Sequence, residues 1–564
     1  MRELGLVVAL AVGCSILGAL PGAAQDAAPP PAPADTADVL ALLDQEKPDP
    51  ARTAKLSADA DAAIPPNLAG PKRSEAFFRR AEARVQVGRV NEAIADGREA
   101  VKLSKGENYE RVTSRYLQFV HRRLLEIGDS KDAVPLIMEQ IHAFEPHQRG
   151  RLFSLYEELA RIYGTAGDMD HAEQLGRNLH ALLAESQSWP AVYDVYRPIY
   201  QAEVIRADGY LRELRNQFAD AEAIYHNGRR TQAEALDRYE EAAKLGGKAF
   251  PFREDFERGL EAFQTSEGRM KVQQGRALEG EVDIREVLLR RLQRIGKYHE
   301  ETGAAVSFLG AAMVGEGRYE DAERLTRAAL EIYRSVGFHD DVPRVVFNLQ
   351  QLAQILDARN LPDQAQAVYD QIDRLVAGWE PARREAVVNE TPRIKLLIDT
   401  GKAAQAIALA NKKLARERAR SGDNSPATAV VRGYLASALA KAGRDAEALA
   451  AFQAAVPTLL ESNRRDDSDD SSSAGAIADR NRYILESYLG LLARNPSGAD
   501  AAADATIGLA DRLRGCSVQR ALAQASARSA GKDPALAGLA RTEQDLGKQL
   551  NGAVADLANL LAQP

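Results

Sequence analysis

Hydrophobic and polar positions follow a helical spacing along most of the chain beyond residue 72. Apolar side chains recur at three- and four-residue intervals, and no convincing run has the two-residue period of a strand. Glycine or asparagine interrupts the pattern after about 12–16 residues, a usual helix length in globular proteins. The pattern therefore predicts an all-α chain of short helices joined by tight turns.

One arrangement of small residues recurs within these helical segments. A small residue is followed seven positions later by Gly or Asn, then five later by Ala, and often seven later by another small residue. The copies are Ala81, Gly88, Ala93, Ala100; Ala160, Gly167, Ala172; Gly209, Asn216, Ala221, Gly228; Gly310, Gly317, Ala322, Ala329; Ala353, Asn360, Ala365; Ala436, Gly443, Ala448, Ala455; with looser copies at Gly128, Ala133 and Gly401, Ala406. Such an internal repeat predicts stacked helical pairs.

The spacing has a steric explanation. Small residues on the first helix (helix A) and the second helix (helix B) of a pair let the two helices approach closely. Gly or Asn supplies the left-handed backbone geometry of the turn between them. A bulky residue four positions after the Ala, such as Tyr225, Tyr369 or Phe452, fills the seam. The last small residue lets the next helix A dock.

This pattern resembles the tetratricopeptide (TPR) signature. Repeat starts at residues 303, 346, 387 and 429 give a period of about 42 residues, longer than the usual ~34. In this respect the chain resembles the repeats of kinesin light chains. The resemblance implies a TPR-like α-solenoid, a right-handed superhelix of helical hairpins, which here ends in long C-terminal helices.

The N-terminus has the features of a secretory signal peptide. Arg2 supplies positive charge, Leu4 to Leu20 is an uncharged apolar run, and small residues precede a cleavage site near Ala24. An uncleaved anchor is the alternative, although the run is short for a membrane-spanning helix. Cys14 gives only a faint lipoprotein cleavage box, because apolar residues continue past it. We expect a periplasmic or secreted protein with no membrane contact beyond this signal.

Composition changes divide the remaining chain into predicted segments. They are a Pro/Ala-rich, partly disordered lead-in (25–72), an N-terminal TPR-like array (73–235), an irregular helical connector (236–302), a C-terminal TPR-like array (303–462), an acidic Ser-rich loop (463–474), and a helical pair with a long linker helix (475–564). The signal peptide occupies 1–24. With 564 residues, the chain is too long for one compact core.

Charge and motifs argue against nucleic-acid binding and catalysis. The net charge is −8, and no segment combines many Lys and Arg with interleaved aromatic residues. Cys516 has no His after it, and the simpler interpretation of His299 and His339 is a local hydrogen bond. His142 and His147 lack further metal-spaced ligands, and the acidic loop lacks the Gly and Glu of a calcium loop. We therefore expect no enzyme activity, no metal and no cofactor.

The inner face of each helix A is the remaining candidate site. Repeat geometry turns this face into a concave groove, and alternating charged, amide and aromatic groups suit peptide recognition. An ordinary solvated surface is the competing interpretation. The candidate residues are Phe78, Glu82, Gln118, Arg122, Glu157, Arg161, Arg206 and Tyr210 in the first array, and Phe347, Gln350, Gln354 and Lys395 in the second.

The C-terminal hundred residues resemble the linker of bacterial CHAT proteins, which are caspase-like peptidases behind TPR repeats. The resemblance rests on 517–528 (SVQRALAQASAR), 533–536 (DPAL) and 541–550 (RTEQDLGKQL). It implies that a catalytic domain with a His/Cys dyad would follow, but this sequence has no such segment, so no catalytic residue is carried over. Two hypotheses follow. The chain is an exported scaffold that binds protein or peptide segments and has a CHAT-like peptidase as a candidate second partner, or it is the regulatory, substrate-recruiting part of such a peptidase.

Overall fold

The structure is a computed structural model. It describes residues 39, 41–43, 50–87, 89–105, 109–146, 148–190, 196–244, 253–379, 381–466 and 475–494. All regular secondary structure in these ranges is helical: 21 α-helices, one π-helical turn at Tyr109–Thr113 and one 3₁₀ turn at Arg149–Arg151. The predicted all-α fold of TPR-like helical pairs is confirmed.

The first nine helices extend to Lys244. They are α1 (Pro50–Ala60), α2 (Gly70–Gln86), α3 (Val90–Leu103), α4 (Ser114–Ile127), α5 (Ser130–Phe144), α6 (Leu152–Ala166), α7 (Met169–Ser186), α8 (Arg197–Leu214) and α9 (Phe218–Lys244). Of these, α2, α4, α6 and α8 are the A helices of the predicted N-terminal array. Helix α1 lies within the predicted lead-in.

The remaining twelve helices begin at Arg253. They are α10 (Arg253–Gln273), α11 (Ala277–Ile295), α12 (Glu300–Gly315), α13 (Tyr319–Ser335), α14 (Pro343–Ala358), α15 (Pro362–Leu375), α16 (Pro381–Val388), α17 (Thr391–Asp399), α18 (Ala403–Ser421), α19 (Pro426–Lys441), α20 (Asp445–Asp466) and α21 (Gly475–Arg494). The predicted connector thus contains the helices α10 and α11, and α20 continues four residues into the predicted acidic loop.

Contacts divide the chain into two compact units. Unit 1 comprises Met1–Met270, Val282–Leu309 and Arg324–Leu349, and unit 2 comprises Lys271–Glu281, Gly310–Glu323 and Gln350–Pro564. Within unit 1, α6 contacts both its partner α7 and the next helix A, α8. Within unit 2, α19 likewise contacts α18, α20 and α21. In these two cases helix A therefore packs against its own helix B and against the next helix beyond that pair, as in TPR-like repeats.

The predicted turn residues adopt the predicted backbone geometry. Positive φ angles occur at Gly128, Gly167, Asn216, Gly317, Asn360, Gly401 and Gly443. Seven of the eight turn residues named from the sequence thus lie in the left-handed region, and the eighth, Gly88, lies outside the described residues. Asn216 and Asn360 do so without glycine's freedom, at φ 58° and 60°. Asparagine is among the side chains that tolerate this region best.

The predicted seams are also confirmed. The Ala side chains of the recurring pattern are buried, as are Tyr225, Tyr369 and Phe452. Gly209 lies directly against the Tyr225 ring, so a Cβ at this position would overlap the ring. A Cβ at Gly228 would lie 2.5 Å from Phe263 on the next helix A. Small residues are therefore required where the aromatic rings cross the neighbouring helix.

Several predicted features fall on residues that the structure does not describe. They are the signal peptide 1–24, His147, most of the acidic loop, Cys516, and the CHAT-like linker within 495–564. For His299 the local interpretation is confirmed, since the backbone N–H of Glu301 donates to its Nδ1 at 3.1 Å.

Candidate functional site

The A helices of unit 1 bring five of the eight predicted first-array residues onto one continuous surface. We call this the α4–α6–α8 surface and define it by Arg122 on α4, Glu157 and Arg161 on α6, and Arg206 and Tyr210 on α8. These helices project the residues from corresponding turns of successive helical pairs. The surface is therefore a direct product of the repeat.

A four-residue network from α4, α5 and α6 fixes one end of this surface. Arg122 Nε donates to Glu158 Oε1 at 3.3 Å, and Glu158 Oε2 lies 2.9 Å from Nε2 of the buried His121. Gln140 Nε2 lies 2.9 Å from His121 Nδ1, so the amide can donate there, which places the proton of a neutral His121 ring on Nε2, beside Glu158. Burial opposes ionisation of Glu158, but the His121 and Arg122 side chains lower its pKa to about 2. Glu158 is therefore an anion that holds Arg122 in place.

On α6 and α8, charged groups surround a buried carboxyl group. Glu157 is buried at the centre, and Arg161 Nη1 approaches its Oε1 at 3.9 Å. Arg206 Nη1 donates to Glu203 Oε2 at 2.8 Å on its own helix. The Arg161 guanidinium lies 5.9 Å from the centre of the Tyr210 ring, within cation–π range. One continuous polar cluster thus joins the two helices.

Desolvation acts on the charged groups of this cluster. Desolvation raises the pKa of Glu157 to about 7, although Arg161 and Arg206 act in the opposite direction. Desolvation also acts on Arg206, but Glu203 and Glu157 hold its pKa above the ordinary value. Yet Arg161 and Arg206 keep 56% and 34% of their side chains exposed. The two cations are therefore partly accessible beside a buried carboxyl group.

The hydroxyl of Tyr210 lies at the edge of the cluster. It is 2.7 Å from Thr165 Oγ1, and the same threonine hydroxyl donates to the Arg161 carbonyl at 2.7 Å. Desolvation raises the pKa of Tyr210, so the phenol stays protonated at neutral pH. Because the threonine donates its only proton to that carbonyl, Tyr210 donates to Thr165 Oγ1, and the phenol oxygen can still accept a hydrogen bond from a ligand.

The other three predicted residues of the first array are not part of the α4–α6–α8 surface. They are Phe78, Glu82 and Gln118. Phe78 is 2% exposed and packs against Tyr116 and Phe119, with ring centres 4.6 and 5.2 Å away. It supports the core, and we leave it out of the proposed binding surface. Glu82 is half-buried and lies 3.4 Å from Arg115, and desolvation raises its pKa. Gln118 is half-buried on α4.

The predicted second-array residues do not form one cluster. Gln350 Nε2 donates to Glu390 Oε2 at 2.8 Å and to the Val387 carbonyl at 3.0 Å, so it holds α17 rather than facing solvent. Lys395 Nζ donates to Asp399 at 2.8 Å and to Asp357 at 3.1 Å. Gln354 is half-buried in unit 2. Phe347, in unit 1, is 46% exposed.

The sequence did not reveal the partners that organise the α4–α6–α8 surface. The candidate residues from the sequence do not include His121, Glu158 or Glu203. Each of these three nevertheless lies within four residues of a candidate arginine on the same helix. Spacing of three or four residues places an acid beside a base on one helix face, as in Glu203 and Arg206. The contact between Arg122 and Glu158, by contrast, joins two helices and leaves no short-range signal.

Within the described ranges, no group of three or more His, Cys, Asp or Glu side chains is placed to hold a metal ion. None of the helices described is both long enough and apolar enough to span a bilayer.

Comparisons with known proteins give structural likeness only. No family model matches the sequence. No curated protein sequence matches it either.

Three solved structures illustrate the likeness. The first, a kinesin light chain from Podosopora anserina with nearly identical TPR-like repeats, is 19% identical, and the match covers 42% of this chain and 99% of that one, with a TM-score of 0.28. The second, a Rap protein complexed with Competence and Sporulation Factor, is 12% identical, and the match covers 70% of this chain and 99% of that one, with a TM-score of 0.43. The third, yeast Tom70, is 12% identical, and the match covers 78% of this chain and 96% of that one, with a TM-score of 0.27. Because each score lies below 0.5, the fold assignment rests on the helical pairs of the chain itself.

Proposed function

We propose that this protein is an exported TPR-like scaffold that binds a peptide or protein segment on the α4–α6–α8 surface. The observation that carries the proposal is the cluster of Glu157, Arg161, Arg206 and Tyr210, in which an exposed and a half-buried arginine lie beside a buried carboxyl group and a half-buried phenol. The accessible part of the cluster offers two guanidinium groups and a phenol, which suit the polar groups of a peptide.

Loss of two of these groups should weaken peptide binding. We expect Arg161→Ala combined with Tyr210→Ala to reduce affinity at least tenfold, about 1.4 kcal/mol, because both side chains contribute accessible polar groups to the cluster. The measurement is fluorescence anisotropy with labelled peptides that are first selected on the wild-type protein from a random peptide library.

The control is Arg177→Ala on α7. Arg177 hydrogen-bonds only within its own helix, to Gln174 at 2.6 Å, and is exposed. We expect its affinity to equal that of the wild type. Equal affinity of the double variant, at unchanged helicity by circular dichroism, would remove the α4–α6–α8 surface as the binding site.

Export is part of the proposal and rests on residues 1–24. Their positive start, apolar run and small residues are what signal peptidase requires. We expect the protein recovered from the periplasm or medium of a Gram-negative host to begin at Gln25. N-terminal sequencing tests this, and an intact Met1 on protein that stays in the cytoplasm would contradict export.

A second proposal is favoured by the CHAT-like linker at 517–550. The chain would then recruit substrates for a CHAT-type cysteine peptidase, and catalysis would come from that domain. A purified CHAT-type peptidase should cleave the selected peptides faster when this chain is present than when it is absent. Cleavage at the same rate with and without it would count against a recruiting role.

A further inference from the structure

The loosest ion pair of the α4–α6–α8 surface joins Arg161 to Glu157. The other two arginines of the surface each donate a hydrogen bond to a glutamate, at 3.3 Å between α4 and α6 and at 2.8 Å on α8. Arg161 Nη1 instead lies 3.9 Å from Glu157 Oε1, which is beyond hydrogen-bond distance. In the part of the chain that the structure describes, Glu157 Oε1 is buried and accepts no hydrogen bond. Glu157 is therefore the carboxyl group that the surface holds least firmly.

Arg161 can exchange this distant carboxyl group for a closer one. Its side chain is exposed, and its guanidinium lies against the face of the Tyr210 ring, 5.9 Å from the ring centre. A guanidinium has five N–H donors and can bind one carboxylate through two parallel hydrogen bonds. A ligand carboxylate would therefore interact more strongly with Arg161 than Glu157 does at 3.9 Å.

Such an exchange must keep the charges of the surface balanced. Its ion pairs join three arginines to three glutamates, so a ligand carboxylate adds one negative charge when every group is ionised. Although desolvation opposes ionisation of Glu158, His121 and Arg122 lower its pKa to about 2, so it does not take up a proton near neutral pH. Desolvation raises the pKa of Glu157 to about 7. A nearby ligand carboxylate would raise it further, because like charges disfavour ionisation.

The ionisable groups that act on Glu157 come from its own helix and from α8. Desolvation has the largest influence on the pKa of Glu157 and raises it, and the charged neighbours act in both directions. His121, on α4, lies 2.9 Å from Glu158 and belongs to the neighbouring network. The groups that face Glu157 are Glu158 and Arg161 on α6 and Glu203, Arg206 and Tyr210 on α8.

We propose that an acidic segment of the ligand binds Arg161 while Glu157 takes up a proton from water. The ligand carboxylate then replaces Glu157 as the counterion of Arg161, and the charge of the surface stays balanced. Because the pKa of Glu157 is higher in the complex than in the free protein, affinity rises as the pH falls through about 7. This inference rests on the proposed peptide-binding function and adds a ligand class and a proton dependence to the same surface.

The test measures binding of a labelled Gly-Glu repeat peptide, acetylated and amidated at its ends, to the full chain at pH 6 and pH 8. The carboxylates of the peptide stay ionised over this range, so they do not contribute a pH dependence of their own. We expect affinity to be at least about threefold higher at pH 6 than at pH 8. Calorimetry at pH 7 in phosphate and in Tris, whose heats of ionisation differ, should show proton uptake on binding. A Gly-Gln repeat peptide of equal length should bind more weakly and without a pH dependence.

Two variants assign the proton. Glu157→Gln should remove both the pH dependence and the proton uptake, and it should bind the Gly-Glu peptide more tightly than the wild type does at pH 8. Glu99→Gln removes a carboxylate of α3 that pairs with Lys102, and it should keep the pH dependence of the wild type. If circular dichroism shows that Glu157→Gln loses helicity, Glu157→Met, with an uncharged side chain of similar length, replaces it.

Four results would overturn the proposal. They are undetectable binding of the Gly-Glu peptide, equal affinity at the two pH values, an unchanged pH dependence in the Glu157 variant, and equal binding of the Gly-Gln peptide. The third result would assign the proton to another group, and the fourth would mean that Arg161 recognises peptide carbonyl groups rather than carboxylates. The proposed function fails separately, when the peptides selected from the random library bind independently of Arg161 and Tyr210.

Discussion

Replacing Asp96 with alanine should lower the free energy of unfolding of the first helical pair by about 3–5 kcal/mol. Asp96, on α3, is 4% exposed and accepts three hydrogen bonds from α2. Arg80 donates through Nε at 2.7 Å and Nη2 at 2.8 Å, and Arg84 donates through Nη1 at 2.7 Å. Without the carboxylate, two largely buried guanidinium groups would face each other with no shared anion. Urea unfolding followed by circular dichroism, with amide exchange of α2 and α3, measures the loss.

A matched control lies on the same helix. Glu99 pairs with Lys102 at 3.4 Å on the exposed face of α3, so Glu99→Ala should change stability by no more than about 0.5 kcal/mol. Asp96→Asn keeps the shape and one acceptor but loses the charge, and its cost should be intermediate. If Asp96→Ala proved no more harmful than Glu99→Ala, the buried ion pairs would not hold α2 against α3.

The helical pairs could be predicted because their constraints are local. A turn of three or four residues must adopt a left-handed conformation at one position, and only Gly and Asn do so at low cost. Asn216, Gly317 and Asn360 therefore marked turns in the sequence that the structure confirms. The same holds for Ala322 and Ala365, since only a small side chain fits between closely packed helices.

The candidate site was less predictable because its geometry depends on neighbours distant in sequence. Repeat position alone placed Phe78 in the groove, but the residue packs inward against Tyr116 of the next helix A. Gln350 binds Glu390, forty residues away.

The second large effect should come from Gly209 on α8. We expect Gly209→Ala to destabilise unit 1 by about 1–3 kcal/mol and Gly209→Val to do so more strongly. Any Cβ at this position would overlap the buried ring of Tyr225, which is held by its hydroxyl donating to Glu213 at 3.2 Å. Helix propensity alone predicts the opposite sign, a gain of about 0.5–1 kcal/mol for Ala over Gly. Denaturant unfolding with amide exchange of α8 and α9 resolves the local change.

Gly490 on α21 provides the comparison, because a Cβ there would meet no atom within 4 Å. Gly490→Ala should therefore stabilise its own helix by about 0.5–1 kcal/mol. Opposite signs for the same chemical change would show that the close approach of α8 and α9, and not backbone freedom, requires glycine at position 209. Adding Tyr225→Ala to Gly209→Ala should remove the clash. The double variant should therefore lose less stability than the sum of the losses of the two single variants. A stabilised Gly209→Ala variant would instead mean that the Tyr225 ring can move aside freely and that the seam between the helices is loosely packed.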